Sequence, residues 1–188
     1  GDFLQNAIAT LYRTFVGFAI AAIAGVALGL AMMRNAWARW FLDPLVSIGL
    51  PMPKIAFLPV FILWFGLFDA SKITIIAVTA VFPIITATIT GLQGVERELI
   101  WSAQSFGATD RHIASEIMIA AALPQIMTGL QVALPTALIV DIVAEMMMGG
   151  DGLGAAMLEA SRQLNSPDVF AGIIEVMAIG WAVVTTMA

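Results

Sequence analysis

Asp141 and Glu145 stand four residues apart in an otherwise apolar stretch, a spacing that puts both carboxylates on one face of a helix. At mid-membrane a carboxylate costs on the order of 2.5–3.5 kcal/mol unless water, a partner or protonation relieves it. The pair is therefore expected to point into a helical bundle or a pore. Two roles stay open: lining or gating a translocation path, or holding neighbouring helices together. Glu175 lies in a second apolar run and has no obvious partner, so helix packing is expected of it. His112, the one histidine, sits beside Asp110 and Arg111 and reads as a surface residue rather than a metal ligand. Met146-Met147-Met148 comes without Cys or His, which favours adaptable packing over copper. No metal or cofactor is expected. Gly149-Gly150-Asp151-Gly152-Leu153-Gly154 is rich in glycine but lacks the Lys-Ser/Thr of a phosphate loop, and no such motif occurs elsewhere. Any nucleotide-driven work must then reside in another chain; this segment is expected either to help receive an external binding protein or to be an external turn and short helix with no contact of its own.

The elements that must position these residues are oily. The chain is 61% hydrophobic and 11% charged, against about 25% charged for a soluble domain, and its mean hydropathy is +0.98. That is the composition of an integral membrane protein, read as a single domain over residues 1–188. Nothing basic enough for nucleic acid is present, and zero cysteines exclude disulfides, thiolate metal sites and a catalytic thiol. No enzymatic chemistry is expected. The chain opens on Gly1 and ends within an apolar run, which predicts a fragment lacking one earlier span.

An all-α polytopic bundle of about five spans follows. A first span is expected over 14–33, with Gly17, Gly25 and Gly29 giving a small-residue side for packing within the same subunit. Phe3 to Arg13 is expected at the interface. Arg34, Trp37, Arg39 and Trp40 suit the headgroup region, and a Pro-rich connection should run from Pro44 to Pro53. Ile55 to Phe68, holding Pro59, is short for a span. Further spans are expected over 73–92, 126–148 and from Val169 onward. Setting Arg34, Arg39, Lys54, Arg97 and Arg111 on one side against Arg13, Lys72 and Arg162 makes the former side cytoplasmic.

The polar stretch 93–125 then becomes a cytoplasmic loop. Glu96 to Phe106 has helical composition, Gly107 can end the helix, and Asp110 can cap a second one running through His112 toward Ala122. This arrangement resembles the EAA loop of permease subunits in binding-protein-dependent ABC importers, whose pattern is Glu-Ala-Ala, three residues, Gly, nine residues, Ile-x-Leu-Pro. Ala103, Gly107 and Ile117 match and Ile119 stands for Leu, while Trp101, Ser102 and Ala120 depart. Ile62-Leu63-Trp64-Phe65-Gly66, Ser71-Lys72, Leu123-Pro124 with Gly129-Leu130, Ala144-Glu145-Met146 and Gly152-Leu153-Gly154 are similar to the nitrate/sulfonate/taurine branch. The resemblance implies a bacterial inner-membrane homodimer that passes a small anion, met by an ATPase inside and a periplasmic solute-binding protein outside. It also implies an ATPase-coupling role for Trp101, Ser102, Ala103, Gly107, Ala108, Asp110, Ile117 and Pro124. The rival reading is a secondary transporter or channel relaying ions through the intramembrane carboxylates.

Overall fold

The structure, a computed structural model, describes residues 2–109 and 112–186. Among them every regular element is helical: α1 (Asp2–Arg34), α2 (Ala36–Gly49), a 3₁₀ turn (Lys54–Phe57), α3 (Leu58–Phe65), α4 (Asp69–Gln93), α5 (Arg97–Ser105), a π-helical turn (Ile113–Ile117), α6 (Met118–Met148), α7 (Leu153–Arg162) and α8 (Ser166–Thr185). α1, α4, α6 and α8 are each long and apolar enough to cross a membrane.

The small residues of α1 set the core. A Cβ on Gly17 would lie 2.6 Å from Ile76 Cγ2, one on Gly25 2.8 Å from Ile84 Cγ2, and one on Gly29 2.7 Å from the Thr88 side chain. The glycine side thus lets two backbones of the same chain approach closely, as lipid-embedded packing favours. Contact positions rise together along both helices, so α1 and α4 run parallel. Against α4, Gly129 of α6 meets Ala87 and Gly91 meets Ala122 and Gln125; here one number rises as the other falls, so α6 is antiparallel. Phe18, Ala21, Ile76, Ala80, Ile84, Ala133, Leu134 and Ala137 fill the space among the three.

Parallel α1 and α4 force the chain between them to return to the starting side. α2 and α3 do this as a broken span bent by 100°, giving five crossings. Two expectations shift here. Pro44 lies inside α2 rather than opening a connection, since one missing N–H inside a helix is tolerated at membrane depth; the break falls instead at Pro51 and Pro53. Pro59 is at the first turn of α3, where its absent N–H is no loss. Residues 3–13, expected at the interface, continue α1 without interruption, because their polar side chains find buried partners.

Candidate functional site

The candidate residues gather at the two ends of the bundle. At the first end, α1 begins, α4 begins and α6 finishes, and the spacing of Thr10, Arg13 and Thr14 on α1 puts them on one helix face. Thr10 Oγ1 donates to Glu145 Oε1 at 2.9 Å and lies 3.1 Å from Oε2. Arg13 Nη1 donates to Glu145 Oε1 at 3.0 Å and to the Asp151 carbonyl at 2.8 Å, while its Nε reaches Asp69 Oδ1 at 2.7 Å. Glu145 Oε2 also accepts the Gly154 N–H at 3.0 Å. Lys72 Nζ donates to the Gly149 carbonyl at 3.1 Å, the Leu153 N–H donates to Thr10 Oγ1 at 3.0 Å, and the Gly152 N–H to Asn6 Oδ1 at 3.1 Å. One turn deeper, Thr14 Oγ1 donates to Asp141 Oδ2 at 2.8 Å, leaving Asp141 Oδ1 buried with no partner among the described residues.

The result is a clamp. Glu145 and Asp141 are 0% exposed, and Arg13 and Lys72 are 5% and 4% exposed. The glycines of 149–154 are there to let backbone reach this cluster: Gly149, Gly150 and Gly152 hold φ of +71°, +85° and +125°, and a Cβ on Gly152 would overlap the Glu145 carboxylate. Sequence reading named Asp141 and Glu145 but missed Asn6, Thr10, Arg13, Thr14 and Lys72 as their partners. The legible signal was the Thr-x-x-Arg-Thr spacing on a span that otherwise carries no charge between Phe3 and Met33.

At the opposite end, α5 stands on the surface with no buried residue. It closes on Gly107 at φ +80°, with the Ala108 N–H bonded to the Ala103 carbonyl at 3.0 Å and the Gly107 N–H to the Gln104 carbonyl at 2.9 Å. Those two bonds form a Schellman cap, which calls for a left-handed residue at this position. A Cβ here would meet nothing within 4 Å, so glycine serves conformation rather than space. The chain re-enters helix with the Ile113 N–H on the Thr109 carbonyl at 2.9 Å and the His112 N–H 3.4 Å from Thr109 Oγ1. Asp110, expected to cap this helix, lies outside the described residues, as does Arg111. The π-helical turn then runs directly into α6, so the expected second short helix is the root of a span. His112 Nδ1 pairs with Glu116 Oε1 at 3.1 Å on the surface.

Ala103, Gly107, Ala108 and Ile117 share an open groove with Phe106, Thr109 and His112. Trp101 is 58% exposed beside them, and Ser102 is exposed on the same helix. Pro124 stands apart, about 10 Å along α6 from Ile117 at 1.5 Å per residue. Phe106, 90% exposed at the tip, was missed by sequence reading; an aromatic side chain directly before the helix-ending glycine was its signal. Such an apolar knob framed by polar residues suits contact with another protein.

A family model described as "Binding-protein-dependent transport system inner membrane component" matches residues 17–188. The taurine transport system permease protein TauC of Escherichia coli (strain K12) is 30% identical over 94% of this chain and 64% of its own length. The putative aliphatic sulfonates transport permease protein SsuC of Bacillus subtilis (strain 168) is 32% identical over 96% of this chain and 65% of its length. This chain thus spans just under two thirds of either relative. In a solved inward-facing structure of the MetNI methionine ABC transporter, one chain shares the fold at TM-score 0.75 and 18% identity, with 100% of this chain and 96% of that chain covered.

Proposed function

We propose, from the premise that this chain belongs to the family of binding-protein-dependent transport system inner membrane components, that it is the permease subunit of an ATP-driven importer. Two copies form the pathway, an ATPase subunit docks on the loop over 93–125 inside, and a solute-binding protein delivers cargo outside. The solute is a small oxyanion of the sulfonate, taurine or nitrate type, the first two in keeping with the names of the relatives just described.

One observation carries this reading. The loop that ends in Phe106 and Gly107 is rooted, through the π-helical turn, in the same helix whose far end holds the clamp: α6 runs from Met118 to Met148, roughly 45 Å at 1.5 Å per residue. A push on the loop therefore reaches Glu145, which ties α6 to α1 and to residues 149–154. ATP can shift an equilibrium between inward-open and outward-open packings provided it binds the two with different affinity. The orientation rests on Arg34, Arg39 and Arg97 lying at the loop end, while Arg13 and Lys72 at the clamp end are buried in ion and carbonyl contacts. The carboxylates serve as structure: each is fully buried against α1, which favours the clamp over a relay or path lining.

Reconstitution in proteoliposomes tests this. Taurine uptake that requires ATP and the ATPase chain together is expected, and uptake driven by an ion gradient without nucleotide would overturn the proposal.

A further inference from the structure

We infer that Lys54 selects for anions on the translocation path: its ammonium stands halfway through the bundle, at the break between α2 and α3 and beside an acid-free groove between α4 and α6. The inference rests on the permease reading above and names the residue that would recognise the oxyanion.

Pro51 and Pro53 end α2 because proline lacks the N–H that would continue the ladder, and Lys54 opens the 3₁₀ turn that follows. Its Nζ lies 5.2 Å from the centroid of the Phe82 ring. Phe82 is 13 residues from Asp69 and 11 from Gln93 at the two ends of α4, roughly 20 and 17 Å at 1.5 Å per residue. That depth is out of reach of either interface for a four-carbon stem. On the sequence alone Lys54 belongs with the cytoplasmic charges; the break carries it to the middle instead.

The other two cations of the membrane region are consumed by the clamp, each held by at least two oxygens. Lys54 differs. Of its three N–H donors, one goes to the Leu50 carbonyl at 2.7 Å, and among the described residues no carboxylate lies within ion-pair distance. It is half-buried, not sealed. Leu50 also lines the groove, together with Thr86 and Thr90 of α4 and Gln125 and Thr128 of α6. Thr86 and Thr128 turn their hydroxyls back onto the Phe82 and Pro124 carbonyls, each at 3.0 Å, while Thr90 and Gln125 are exposed at the groove; such groups facing lipid are unfavourable and suit water or a passing polar solute. No acid among the described residues lines that groove; Asp141 and Glu145 are locked away against α1, and Glu175 of α8 lines a separate pocket beside α7. A route with one cation and no anion attracts oxyanions, and a sulfonate presents three acceptor oxygens to the two spare donors.

The test uses the whole transporter, with its ATPase and binding protein, in proteoliposomes, with radiolabelled taurine and a short alkanesulfonate as probes and rates normalised to assembled complex. Lys54→Gln is expected to lower kcat/KM for both probes about 10- to 100-fold, the worth of one charged hydrogen bond. Lys54→Glu should be at least as damaging, and Lys54→Arg should restore most of the uptake. Wild-type rates in Lys54→Gln overturn the inference alone. A Gln variant that fails to assemble marks the ammonium as a cap for α2 and also overturns it. If the unaltered complex moves neither sulfonate under ATP, the permease reading of cargo falls, and this inference with it.

Discussion

Glu145 joins α6 to α1 and to the following loop through one carboxylate, accepting from Thr10, Arg13 and Gly154. Removing one partner of a buried ion pair strands the other, at about 3–5 kcal/mol. Glu145→Ala should therefore lower the thermal midpoint of the purified protein sharply, whereas Asp69→Ala, whose carboxylate is half in solvent, should cost about 0–1 kcal/mol. Equal midpoints for the two variants would contradict the clamp. Gly107 makes the opposite kind of demand. Its surroundings are empty but its φ is +80°, so Gly107→Ala already carries the left-handed penalty of about 1–2 kcal/mol, and Gly107→Asn should carry less. Solute-stimulated ATP hydrolysis by the complex should fall in that order, Ala below Asn below wild type; a loss seen only with bulky residues would mean that the site is limited by space.

At the scale of the helices, the packing follows from small residues meeting branched ones. Gly25→Leu would drive a side chain into Ile84, whose Cγ2 is 2.8 Å from the position of a single Cβ. The expected loss is about 1–3 kcal/mol, read as a lowered melting midpoint, with a much smaller effect for Gly94→Ala, where the nearest atom is 3.3 Å away. Much of this was legible. The glycine stripe predicted close packing within the chain, and α5 over Arg97–Ser105 fits the helix expected from Glu96 to Phe106. The prolines misled: Pro44, expected to open a connection, sits within a helix, while Pro59, in a run that reads as short for a span, begins one. Proline marks a boundary only where the surrounding packing has no use for a continuous helix, and that is a tertiary fact. Likewise the carboxylate pair announced itself by spacing, but its partners on α1 lie more than 120 residues away, beyond the reach of any local pattern.

For the whole molecule, direction matters most. Parallel α1 and α4 demand an odd crossing between them, so the bent α2–α3 pair counts as a span and both ends of α6 belong to opposite sides of the membrane. The proposed mechanism depends on that polarity: the knob at Phe106 must meet the ATPase while residues 149–154 meet the exterior. Cysteine placement reads it directly. In the assembled transporter, Ser105→Cys should crosslink to a cysteine in the ATPase surface and stay dark to a membrane-impermeant thiol reagent added outside, whereas Asp151→Cys should react with that reagent. Labelling of Ser105→Cys from outside, with Asp151→Cys protected, would contradict the account.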